Sequence, residues 1–131
     1  MRGFVDNIEE ATEENSNFRH VLYTGKHLQL VMMSIAPGDE IGEEVHTDGD
    51  QFFRIEEGQG MVTIDGRESE ISSGDGIVVP AGARHNITNT GDAPLKLYTL
   101  YAPPHHRDGY VAGTRVEAQK ADEDFDGRTT E

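Results

Sequence analysis

The sequence predicts an all-β protein, a sandwich or barrel, and three observations carry that expectation. Short apolar runs recur about every 8–12 residues with Gly, Pro or Asp between them, the rhythm of a chain that repeatedly doubles back. Asp65-Gly66 separates two such runs, 61–64 and 68–71, and is among the strongest local hairpin signals. The stretch 74–89, GDGIVVPAGARHNITN, reads as a strand, a tight turn and a second strand.

Taken in order, residues 1–17 are a polar, acidic lead-in. Asn7, with Glu10 three positions on, can cap a single helical turn over 8–14. Two strands follow, 18–23 and 27–35, around Thr24-Gly25-Lys26. In the second, Leu28, Leu30, Met32 and Ser34 share one face, and Gln29, Val31, Met33 and Ile35 the other. Apolar residues on both faces predict a strand covered on both sides.

After the turn Ala36-Pro37-Gly38-Asp39 come a short strand over 41–46, a loop at 47–50 and a strand over 51–57. The Asp65-Gly66 hairpin is next, then the stretch 74–89, a turn over 90–94 and a last long strand over 95–101. Residues 104–131 are expected as a polar connector and a mobile acidic tail, because they carry few aromatics and no periodicity.

At 131 residues the chain is expected to form one domain, large enough to bury a core without staples. It has no cysteine, which excludes disulfides, thiolate ligands and cysteine nucleophiles. Eleven Lys and Arg against 25 Asp and Glu give a formal charge of −14, which argues against nucleic acid as a partner. The N-terminus lacks the apolar run of a signal peptide, and no stretch approaches the ~18 apolar residues of a membrane span. The expectation is a cytoplasmic protein with no membrane partner.

The stretch 74–89 presents a histidine from a stiffened turn. Pro80 presets φ, Gly82 can take positive φ, and His85, Ile87 and Asn89 then share one face of the following strand. The spacing is Gly74, five residues, Pro80-Ala81-Gly82, two residues, His85, three residues, Asn89. It resembles the second signature motif of the cupin family at every position. A variant of the first motif lies upstream: Glu44-x-His46, four residues, Gln51, six residues, Gly58. The family has a histidine where Glu44 stands and a glutamate where Gln51 stands. Fifteen residues separate Gly58 from Gly74, as in compact members of the family.

The resemblance spans roughly residues 18–103 and implies a jelly roll, a double-stranded β-helix barrel. It also implies one divalent transition metal (Mn, Fe, Ni, Cu or Zn) held by Glu44, His46, Gln51 and His85. Those donors suit it, since imidazole and oxygen ligands together serve these ions. Exchanging histidine for Glu44 and glutamate for Gln51 leaves the summed charge at one carboxylate, although an amide oxygen is the poorer donor. Gln51 could equally hydrogen-bond a bound water. Phe53 and Ile55, in phase with Gln51, are expected to line the pocket with Ile87 and Tyr101. Asp48 and Asp50 are read as turn formers. His20, His27, His105 and His106 match no motif position and are expected on the surface.

Three functions stay open at this point. In order, they are a metal-dependent enzyme acting on a small organic molecule, a non-catalytic small-ligand or metal-binding module, and a structural protein whose histidines merely pack. The reaction is not resolved among dioxygenase, isomerase and lyase. The resemblance further implies a homodimer.

Overall fold

The computed structural model describes residues 1–131 and consists of two antiparallel sheets facing one another. A helix α1 (Ile8–Glu14) precedes β1 (Arg19–Thr24), β2 (Gln29–Ile35), β3 (Glu44–Val45), β4 (Asp50–Glu57), β5 (Gln59–Ile64), β6 (Arg67–Ser72), β7 (Gly76–Val79), β8 (Arg84–Asn89) and β9 (Leu95–Ala102). The chain ends with β10 (Val111–Ala112), α2 (Arg115–Lys120) and an extended segment. One sheet has the order β10-β1-β2-β9-β4-β7, the other β3-β8-β5-β6. Sequence neighbours therefore often lie apart in the sheets, the mark of a rolled rather than meandering barrel, and the predicted jelly roll is what forms.

Period-two alternation places the core between the sheets. Val31, Met33 and Ile35 of β2, Phe53 and Ile55 of β4, Ile87 of β8, and Leu95 and Leu97 of β9 are all essentially inaccessible to solvent. Asn7 caps α1 by accepting from the Glu10 N–H at 3.0 Å, which satisfies one of the helix's orphan donors. The helix lies against β9 and β4, where Lys96 Nζ donates to the Glu13 carbonyl at 2.6 Å.

Two expectations change. The strand foreseen over 41–46 shrinks to Glu44–Val45. Gly42 sits at φ +107, outside strand geometry, and upstream only the isolated bridge Glu40–Thr88 is made. More consequentially, residues 104–131 are not a loose tail. β10 pairs with β1, and His106, Ala112, Ala118 and Glu123 are buried. An antiparallel bridge links His106 to Asp124, and the Glu131 carboxylate accepts from the Arg2 and Gly3 N–H groups and from the Tyr23 hydroxyl. Polar contacts join the packing of Tyr110, Ala112 and Ala118 against the core in holding this segment, and hydrophobic periodicity cannot register them.

Candidate metal centre

The backbone delivers the predicted donors from three directions. At the turn before β8, Gly82 takes φ +88, as the glycine was expected to, and its N–H donates to the His46 carbonyl at 2.8 Å. This ties the two motifs together. Glu44 pairs with His85 across β3 and β8, while Gln51 enters from β4 in the opposite sheet, beside Tyr101 of β9. The donor atoms of Glu44, His46 and His85 lie within 4.8 Å of one another. His85 and Gln51 are 3% exposed, so the site lies inside the barrel.

Second contacts orient the donors. The His85 Nδ1–H donates to the Ala83 carbonyl at 3.1 Å, which leaves Nε2 with its lone pair free. His46 Nε2 lies 2.9 Å from Glu44 Oε2, so a shared proton holds this pair where a cation could take its place. Burial pushes the Glu44 carboxyl up, but the His46 hydrogen bond and the nearby His46, Arg19 and His105 hold it below its ordinary value overall. The carboxylate is thus the stable form.

Gln51 leaves one buried polar atom without a protein partner. Its Nε2 donates to Thr99 Oγ1 at 3.0 Å, and Thr99 passes the chain on to the Phe52 carbonyl at 2.8 Å. Its Oε1 is buried and accepts nothing. An unmet buried acceptor costs about 1–3 kcal/mol. The Tyr101 hydroxyl is close enough to feel the Gln51 amide, yet no hydrogen bond of ordinary geometry joins them. The Tyr101 proton goes elsewhere, to His106 Nε2 at 3.1 Å.

That contact opens a network the sequence did not disclose. His106 Nδ1–H donates to Glu123, 2.7 and 2.8 Å from its two oxygens, and Arg19 Nη1 pairs with the same carboxylate at 3.5 Å. Burial holds the His106 imidazole below its ordinary pKa against the pull of Glu123, so the neutral ring accepts from Tyr101. Burial also raises the Tyr101 phenol well above its usual value, with Arg19 opposing. Gln29, fully buried in β2, clasps the segment: Oε1 accepts from the N–H groups of His105 and His106 at 3.1 and 2.9 Å, and Nε2 donates to the His106 carbonyl at 2.7 Å.

His105 and His106 were expected on the surface, and both stand at the site instead. The His105 ring lies 4.4 Å from that of His46 and stacks on Tyr101 at 5.4 Å, while His106 meets Tyr101 edge-on at 4.9 Å. Their adjacency in a polar run hid them. Gln29 did leave a signal, a polar residue in phase with Val31, Met33 and Ile35 on an apolar face. His20 is half-buried and His27 exposed, and neither belongs to the converging donor group.

Among the expected wall residues, Phe53 faces His85 at 6.3 Å between ring centroids, and Tyr101 faces His46 at 5.9 Å. Ile55 and Ile87 lie further along the same strands, inside the apolar core. Asp50 Oδ1 accepts from the Ala81 N–H at 2.8 Å and braces the turn before β8.

A jelly-roll barrel with inward histidines from two motifs of cupin-like spacing defines the class, and direct comparison agrees. The cupin domain family matches residues 31–101, and the chain belongs to it. YrkC of Bacillus subtilis (strain 168) is 45% identical over 126 residues, covering 92% of this chain and 68% of that one. The tetracenomycin polyketide synthase protein TcmJ of Streptomyces glaucescens is 28% identical over 81 residues, covering 60% and 54%. A Bacillus halodurans protein of known crystal structure is 47% identical with a TM-score of 0.89, covering 92% of this chain and 96% of that one.

Proposed function

We propose that the protein holds one divalent transition metal ion through Glu44, His46, His85 and Gln51 and acts enzymatically on a small organic molecule. The observation that carries this reading is the buried, unpartnered Gln51 Oε1, an acceptor left without a donor beside three convergent donor groups. An ion there would supply Lewis acidity toward an oxygen of the substrate. The chain's own residues do the rest. His85 is held in one tautomer by Ala83, Glu44 contributes the single negative charge, and Phe53 packs its ring toward His85 on the inner side of the site. Tyr101, its proton directed to His106, offers an oxygen that can accept rather than donate.

Likeness to TcmJ, a polyketide synthase protein, supports an organic substrate without choosing the reaction. The expected pairing of two copies finds support on the outer face of the larger sheet. There Leu30, Leu100, Phe52 and Val78 stand in register across four strands as an apolar row, with Val78 67% exposed.

Elemental analysis of tag-free protein purified without chelator is the test. About one Mn, Fe, Ni, Cu or Zn per chain, lost in a His46→Ala/His85→Ala double variant that still folds, is the expected result. No metal and no uptake of any of these ions would sink the reading.

A further inference from the structure

The geometry points to His105 as the residue that contacts a small molecule bound on the open side of the metal site, through a hydrogen bond to an oxygen or nitrogen atom of that molecule. This rests on the metal reading above. His105 comes from outside both motifs, and three observations carry its role.

The first is its freedom within a satisfied cluster. His46 is engaged by Glu44, His85 by Ala83, and His106 at both ring nitrogens. The His105 ring makes no hydrogen bond to the protein; the residue is held by its backbone alone, its N–H donating to Gln29 Oε1 and its carbonyl accepting from the Phe125 N–H. A neutral imidazole carries one donor and one acceptor, and here both are left for a guest.

The second is position. The ring sits against His46 at 4.4 Å, inclined by 68°, and is supported from behind by the Tyr101 ring at 24° to it. It is not one of the three residues whose donor atoms converge within 4.8 Å. His105 therefore stands outside the converging donors, against His46.

The third is the opening. A cavity of about 30 Å³ lies between the loop before β4 and the segment after β9; of the converging donors it touches His46 alone, and Asp48, Asp50, Tyr101 and His105 are among its other walls. That is room for one or two waters or a small anion. A molecule entering beside His46 by this route meets the His105 ring. The segment is held firmly by the Gln29 amide, so the ring is presented by a fixed backbone.

The test uses the full chain loaded with Co(II), with azide as the probe and the visible cobalt spectrum as the readout. His105→Phe keeps the ring bulk against Tyr101 and removes both nitrogens. It is expected to bind one Co(II) with the wild-type spectrum and affinity, and to bind azide about three- to tenfold more weakly. His105→Gln, which retains a donor, is expected to recover part of the loss. Equal azide affinity in wild type and His105→Phe, or no azide binding by either, overturns the proposal. A weakened or altered cobalt site before azide is added overturns it as well, by making His105 a ligand of the ion. Wild type that takes up no cobalt overturns the metal reading and this proposal with it, and shows itself at the loading step. His105→Ala, read the same way, serves if the Phe ring prevents folding.

Discussion

The Gln29 side chain grips His106 from both sides: its Oε1 accepts from the His106 N–H at 2.9 Å while its Nε2 donates to the His106 carbonyl at 2.7 Å. One amide thus does for this segment what a strand pairing does elsewhere, and it does so with no exposure to solvent. Gln29→Leu should strand the buried His106 N–H and carbonyl and the partly buried His105 N–H, costing about 3 kcal/mol in denaturant unfolding of the metal-free protein. It should also make residues 104–131 more open to proteolysis. Unchanged stability and protection would show that the segment is held in some other way.

Gln51→Glu separates the ion's need from the empty fold's. A second carboxylate in a buried site beside Glu44 should destabilise the metal-free protein, while a better oxygen donor should raise metal affinity at least about tenfold. Competition with a chromophoric chelator reads the affinity, and thermal melts with and without metal read the stability. Loss of affinity would place Gln51 outside the ligand set.

Gly49 tests the close approach that shapes the opening. A Cβ there would stand 2.7 Å from the Ala102 carbonyl oxygen and 2.8 Å from Pro103 Cδ. Gly49→Ala must therefore push the loop and the segment after β9 apart. The expected outcome is a loss of about 1–3 kcal/mol from overpacking, together with faster backbone hydrogen exchange around His105 and His106.

Acid should weaken the metal-free protein across a defined window. Burial first, then neighbouring His106 and His46, lowers His105 from 6.5 to about 4, and burial lowers His106 as well. Between about pH 4 and 6.5 the unfolded chain binds more protons than the folded one, so stability rises with pH there and is lost as pH falls through it. Glu44, held low in the fold, adds a loss in the same direction at the acid end. Urea midpoints measured from pH 7.5 to 4 should fall, and His105→Asn should flatten the slope. A slope unaltered by that change would remove His105 as its source.

The legible part of this protein is local. Glycine and proline punctuation, the Asp65-Gly66 hairpin, the Asn7 cap and the spacing around His46 and His85 are short-range features, and each acts through backbone angles that a few residues set. They are enough for the strands in order; the jelly roll and the candidate donors Glu44, His46, Gln51 and His85 follow from the family resemblance that the motif spacing carries.

The tertiary structure alone decided which polar residues join them. His105, His106, Glu123, Arg19 and Gln29 lie as much as 104 positions apart, from Arg19 to Glu123, and meet only because the segment after β9 folds back over the barrel. Hydrogen bonds between distant side chains leave no periodic trace, and a polar run reads the same whether water or a buried amide satisfies it. That is why a stretch resembling a loose acidic tail in sequence becomes, once folded, a wall of the site.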